Sequence, residues 1–400
     1  MNVSATTTRP GAIVWLILGC GIVAALHLGK TAIATPMLVA DMHLSLGEVG
    51  WLTGIVAVLG LVGGAPAGVL VAAVGSRRSM LLGLGILVFS DVLGAVAPAF
   101  PVLLATRLVE GLGFLLIIVA GPALIQGLTT AAQRDLAFSL WSCFMPCGIA
   151  LAMLVGPLFP TWQSFWWANS GLALTFAVMV IVGVPHIASG SGRSLSHMIG
   201  AIRCLFCSRG TVLLAVAFAL YSLMFFALFS FIPVLLMERM DVSYRTAGLL
   251  SALASAINAG GNLAAGYLVA RGATKASLIV IASGVMGVSG VGIFLGSLPA
   301  MPTFMLCLLF SAAGGLIPAT LLICASLVAP HATLVPVAVG LMMQGSNLGQ
   351  LLGPVVIGSV TAAFGWSAAG AVVVLAAIAT CVAALLLRPA TAQRANLTGV

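Results

Sequence analysis

Apolar runs long enough to cross a bilayer as a helix alternate with short polar breaks along the whole chain, and twelve can be delimited. They cover residues 12–38, 49–74, 80–97, 102–124, 136–158 and 165–184, then 212–236, 247–269, 277–295, 304–325, 335–362 and 368–387. Each suits a helix of about 20 residues, tilted or kinked where the run is longer. The pattern predicts an all-α membrane protein of twelve transmembrane helices. The longest polar break, 185–211, holds Ser189-Gly190-Ser191-Gly192 and Arg193, Arg203 and Arg209, and it divides the runs six and six. This predicts a bundle at 1–184, a linker at 185–211 and a second bundle at 212–400.

The halves repeat each other at a shift of about two hundred residues. Pro36 to Met42 parallels Pro233 to Met240, Ser45 to Leu52 parallels Ser243 to Leu250, and Gly68 to Ala72 parallels Gly266 to Ala270. Gly156-Pro157 likewise parallels Gly353-Pro354. Both copies keep the same orientation in the membrane. Parallel six-helix repeats are a transporter plan, with the binding site at the midplane between them.

Composition agrees: 62% of residues are hydrophobic and 6% charged, and the mean hydropathy is +1.26, outside the range of soluble domains. The net charge of +8 does not read as a nucleic-acid footprint, because the basic residues sit at helix ends rather than in a patch. With the N-terminus inside, the inner face holds Arg9, Arg77, Arg78, Arg134, Arg193, Arg203, Arg209, Arg271, Lys275, Arg388 and Arg394. The outer loops hold only Arg239 and Arg245, beside Asp41, Glu48, Glu238 and Asp241. Both termini are therefore expected in the cytoplasm. Eight irregularly spaced cysteines make no disulfide framework, and Cys204-x-x-Cys207 lacks a second pair for a metal. Leu18-Gly19-Cys20 resembles a lipoprotein cleavage box, but the apolar run continues past it, which predicts a retained first helix.

Five ionisable groups fall inside the runs, all in the first half: His27, Lys30, Asp91, Arg107 and Glu110. Such groups are costly in lipid, face the bundle interior and mark a pathway. Arg107 and Glu110, three apart, share a helix face. Asp91 and Arg107 lie at similar depths, roughly 9 Å below the outer end of their helices, and could pair; Glu110 and Lys30 lie about one turn deeper. Lys30 pairing with Glu110 is the structural alternative to substrate contact. Fully ionised, the two cations and two carboxylates cancel; protonating Glu110 leaves one positive charge in a low-dielectric site, which would attract an anion. Substrate and proton binding would then favour each other.

The second half supplies uncharged groups: Tyr221, Asn258, Asn262, Gln344, Asn347 and Gln350. Amides can orient a carboxylate or join helices. Trp166-Trp167 and Phe225-Phe226 read as packing and interfacial anchors. Gly64-x-x-x-Gly68 and Gly349-x-x-x-Gly353-Pro354 allow close helix crossings.

These residues resemble the major facilitator superfamily over nearly the whole chain. Gly68-Val69-Leu70-Val71-Ala72-Ala73-Val74-Gly75-Ser76-Arg77-Arg78 is similar to the family's Gly-x-Leu-x-Asp-Arg-x-Gly-Arg-Arg signature, with Ala72 in place of the gate aspartate. Ala270 makes the same departure in the second copy, beside Arg271. The resemblance implies gating roles for Gly68, Gly75, Arg77, Arg78, Gly266 and Arg271, with a gate that closes without the aspartate. Arg107-x-x-Glu110-Gly111-x-Gly113 resembles the fourth-helix Arg-x-x-Gln-Gly-x-Gly motif. Gly29-Lys30 with Pro36, Trp141-x-x-x-x-Pro146-x-Gly148, and Gln344 to Pro354 are similar to the cyanate-permease-like branch, whose members carry small anions. The drug-antiporter motif of the fifth helix is only partly present.

The resulting expectation is a bacterial inner-membrane transporter that imports a small organic anion by proton symport. Its site would comprise Lys30, Arg107, Tyr221, Asn258, Gln344 and Asn347, with Glu110, Asp91 and His27 coupling the proton. The partners implied are the anion, protons and the lipid bilayer, with no cofactor, metal or nucleic acid, and the chain is expected to be a monomer. A proton-coupled efflux antiporter is the alternative. An enzyme is not expected, for no hydrolase, zinc-protease or phosphate-loop motif is found. A receptor on the same fold would need a long soluble extension, and the tails are about a dozen residues each.

Overall fold

The computed structural model describes residues 10–97, 99–129, 137, 140–185, 208–328 and 335–398. The first half contains α1 (Pro10–Met42), α2 (Leu46–Gly54), α3 (Val58–Val74), α4 (Ser76–Ala95), α5 (Phe100–Leu128), α6 (Phe144–Val155) and α7 (Trp162–Gly183). The second contains α8 (Arg209–Phe229), α9 (Ile232–Met240), α10 (Tyr244–Ala270), α11 (Lys275–Leu295), α12 (Ala300–Val328), α13 (Val335–Phe364) and α14 (Trp366–Thr398). Ten described segments are by themselves long and apolar enough to cross a membrane. The shorter apolar Phe144–Leu158 and the asparagine-bearing α10 complete the twelve passes. Arg9, Arg134, Arg193, Arg203, the Ser-Gly stretch and Cys204-x-x-Cys207 lie outside the described residues. Cys20 is buried within α1.

Two passes expected to be continuous are broken. The second pass tightens into a 3-10 turn at Ile55–Ala57 between α2 and α3. Beside this turn Arg107 Nε donates to the Leu52 carbonyl at 3.1 Å, and a side chain inserted into the ladder is a usual cause of such irregularity. The seventh pass stops at Phe229 and restarts as α9, because Pro233 has no N–H to give and is tolerated only in a helix's first turn. The repeat also diverges at its last element. Gly156-Pro157 opens a 3-10 turn (Gly156–Leu158) that ends the fifth pass, whereas Gly353-Pro354 lies within α13.

Elsewhere the duplication is visible in the contacts. Ser45 and Ser243 cap α2 and α10, their hydroxyls accepting from Glu48 N at 3.2 Å and Thr246 N at 3.3 Å. Asp41 accepts the indole N–H of Trp162 at 2.8 Å, and Glu238 accepts that of Trp366 at 2.8 Å. In each half, then, a carboxylate at the end of the first pass fastens the start of the sixth. These acids hold helices together, a role beyond loop charge.

The halves meet along α2–α13, α6–α10 and α1–α10 at the end remote from the termini. Gly54 lies against the Leu351 carbonyl, where an added Cβ would stand 2.7 Å away, and Gly50 presses closer still on the Pro354 carbonyl. Tyr244 Oη donates to the Ile33 carbonyl at 2.9 Å, and Gly248 packs on Met153 and Pro157. Deeper, Ser255 Oγ donates to the Pro146 carbonyl at 3.1 Å. Toward the terminal end, a Cβ added at Gly68, Gly266 or Gly340 would meet nothing within 4 Å, so Gly68 makes no close crossing there. On the outside, Phe89, Val182 and Val288 are exposed, as expected of a lipid-facing surface.

Candidate functional site

Arg107 and Glu110 point inward from α5, placed by two glycines beside them. An added Cβ on Gly111 would collide with the Val56 carbonyl of the tightened turn, and one on Gly113 would stand 2.8 Å from the Gly83 carbonyl. Only glycine lets α5 lie this close to the second pass and α4. From α1, His27 and Lys30 project one turn apart, and from α4 comes Asp91. All five side chains are at most 1% exposed.

They form one chain of contacts. His27 Nδ1 bonds the Val23 carbonyl at 2.6 Å, and His27 Nε2 bonds Asp91 Oδ2 at 2.8 Å. Lys30 Nζ donates to Asp91 Oδ1 and to Glu110 Oε2, the latter at 2.9 Å. Arg107 Nη1 donates to Glu110 Oε1. The Asp91–Arg107 pair that their similar depths allow is not formed. Asp91 is claimed by α1, and Arg107 is held by its own helix neighbour and by Leu52.

Two buried donors in this cluster lack partners: Arg107 Nη2 and the Trp166 indole N–H. Trp166, on α7, is 1% exposed and lies under Lys30 Nζ, 4.7 Å from the ring centroid, so it is part of the site rather than an interfacial anchor. Its neighbour Trp167 does face outward. The sequence carried no signal to separate the two tryptophans, because both lie in one apolar run. His27, Asp91 and Glu110 also bring ligand atoms within 4.8 Å of one another, a spacing that could hold a cation. Lys30 already bridges the two carboxylates and supplies that charge.

The amides gather elsewhere. Asn258 Nδ2 donates to the Ser311 carbonyl at 3.0 Å and lies 3.5 Å from Tyr221 Oη, while Asn262 Nδ2 donates to Asn258 Oδ1 at 3.2 Å. Ser222 and Ser346 bond at 2.9 Å, joining α8 to α13. Gln344 and Asn347 instead face the second pass, against Gly64 and Gly60. No described hydrogen bond links this half's amides to the charged chain. Of the expected gate residues, Arg77 Nη2 donates to the Ile181 carbonyl at 2.7 Å and Arg271 stacks 4.5 Å from the Tyr267 ring. Gly75, at φ +94°, makes the turn between α3 and α4.

A twelve-pass duplicated helical fold with charges buried in one half matches the profile of the Major Facilitator Superfamily over residues 17–335. The chain belongs to the major facilitator superfamily. It is thus a member of a transporter family, not an enzyme, and a multi-pass membrane protein. Among its relatives is the 3-(3-hydroxy-phenyl)propionate transporter of Escherichia coli (strain K12), 28% identical over 270 residues, which are 65% of each chain. The chain therefore matches just under two thirds of that relative's length. Among solved structures, this superfamily member is similar to a bacterial homologue of the human lysosomal transporter Spinster, with TM-score 0.77, 16% identity, and 97% and 96% of the two chains covered. It is also similar to a D-xylose-proton symporter, with TM-score 0.71, 17% identity, and 93% and 97% covered. At these identities the structural likeness speaks to the fold.

Proposed function

We propose that this chain carries a small organic monoanion together with a proton across the bacterial inner membrane, both termini being cytoplasmic. The observation that carries the reading is Arg107 Nη2, a cationic donor buried among paired charges with no partner of its own. A buried donor left unpaired is costly, and an anion entering the site would satisfy it. Lys30, bonded like Arg107 to Glu110, is the second cation of the site. The name of the relative, a phenylpropionate transporter, and the resemblance to the cyanate-permease-like branch both support an organic anion.

Residues 1–184 and 212–400 act as the two bodies that rock about this site, linked by 185–211. Gly68, Gly75, Arg77, Arg78, Gly266 and Arg271 form the gate at the terminal end. Tyr221, Asn258, Gln344 and Asn347 contact the rest of the substrate when the halves close on it. Glu110, Asp91 and His27 are the proton-coupling group, and the monomer is the working unit.

The test uses proteoliposomes with an internal pH dye and small carboxylates, 3-(3-hydroxyphenyl)propionate among them, added outside in turn. The expected result is internal acidification with one carboxylate as it enters with protons, absent in Arg107→Ala. Proton movement with lipophilic cations and with no anion would overturn the symport reading in favour of efflux.

A further inference from the structure

We infer that the transported proton is stored in the His27–Asp91 hydrogen bond, on α1 and α4, rather than on Glu110. The inference rests on the symport reading for its consequences but on geometry for its substance. A carbonyl oxygen can only accept, so the 2.6 Å contact with the Val23 carbonyl requires that His27 Nδ1 carry a hydrogen. The 2.8 Å contact between Nε2 and Asp91 Oδ2 then also needs one. Either Nε2 carries it, making the ring an imidazolium, or Asp91 is the protonated partner. In both cases the pair holds one proton more than a neutral histidine beside a carboxylate. Glu110 needs no proton, since its two oxygens accept from Lys30 and Arg107.

The charge balance follows. With the proton present the His27–Asp91 pair is neutral overall, and Lys30, Arg107 and Glu110 together leave one positive charge. Without it the pair is negative and the five groups sum to zero. Loss of the proton leaves the ring one hydrogen for two acceptors, so either the Nε2–Asp91 contact or the Nδ1–Val23 contact must open. The groups facing the pair are Lys30 from α1 and, beyond it, Arg107 and Glu110 from α5; α7 contributes the Trp166 ring, and the second pass the Leu52 carbonyl. Among the described residues no other titratable group contacts the pair. Lys30 is the link between the functions, bonded to the proton-storing Asp91 and to the Glu110 that holds Arg107. A protonated pair therefore presents a site with surplus positive charge to an arriving anion, and a deprotonated pair does not.

The deciding experiment is nitrogen NMR of the purified native protein labelled at its five histidines, at about pH 6 to 7 without substrate, with His27→Gln used to assign the ring. An imidazolium at His27 is expected. A neutral Nδ1–H ring together with a protonated-carboxyl infrared band that vanishes in Asp91→Asn would support the inference equally. A neutral Nε2–H ring, or an Nδ1–H ring with no such band, would overturn it, whatever the protein transports. Binding of 3-(3-hydroxyphenyl)propionate then reads the consequence. The His27→Gln/Asp91→Asn double variant should make affinity independent of pH, and His27→Gln alone should weaken it by about tenfold, as loss of one buried positive charge implies. If that probe does not bind the native protein, the substrate reading fails and the spectra still locate the proton.

Discussion

Glu110 is the hinge of the buried charges, since Lys30 and Arg107 both bond to it. Glu110→Gln leaves two cations with Asp91 as their one carboxylate, and breaking such a pair costs about 3 to 5 kcal/mol. Thermal unfolding in detergent should fall accordingly, and adding Arg107→Gln should recover part of the loss. Arg107→Lys preserves the charge but cannot keep the Leu52 bond and an additional donor in one rigid fork. Its folded yield should be near that of the native protein while carboxylate uptake falls at least about tenfold, equivalent to 1.4 kcal/mol. That Arg107 and Glu110 share a helix face was legible from their spacing of three; that they bond each other was not. Nor was the partner of Asp91, because depth along separate helices does not say which helix turns toward which.

The helices are set by small residues and by a few polar fasteners. Gly111→Ala would drive a methyl into the Val56 carbonyl, a backbone atom that cannot move aside as a side chain could. A loss of about 1 to 3 kcal/mol in stability is expected, together with displacement of Arg107, read as impaired uptake in whatever protein still folds. Gly75, at φ +94° and ψ 139°, occupies a conformation that other residues adopt only under strain. Gly75→Ala should therefore lower the unfolding temperature. Trp162→Phe and Trp366→Phe each remove one indole-to-carboxylate bond of equivalent position. Each should cost about 0.5 to 1.5 kcal/mol, the exposed Trp366 bond less than the part-buried Trp162 bond.

At the level of the whole molecule, the halves are in contact at the end remote from the termini. A rocking cycle must separate them there. Gly47 and Ser359 offer a place to test this, for a Cβ on Gly47 would lie 3.7 Å from Ser359 Cα, within reach of a disulfide. In a background without the native cysteines, oxidation of Gly47→Cys with Ser359→Cys should stop transport, and reduction should restore it. Unimpaired transport by the fully crosslinked protein would refute rocking about this contact.

Sequence by itself determined the twelve passes, the duplication and the five buried ionisable groups, because lipid penalises every unpaired polar group and makes each exception conspicuous. The family motifs were legible for the same reason: Gly111 and Gly113 stand beside charges that no ordinary apolar helix would carry. Tertiary structure decided the rest. The breaks at Ile55–Ala57 and after Phe229, the place of Trp166 beneath Lys30, and the pairing of Asp91 with His27 all depend on how separate helices rotate against one another. Hydropathy is nearly uniform around these helices, so it identifies a span without saying which way any one side chain faces.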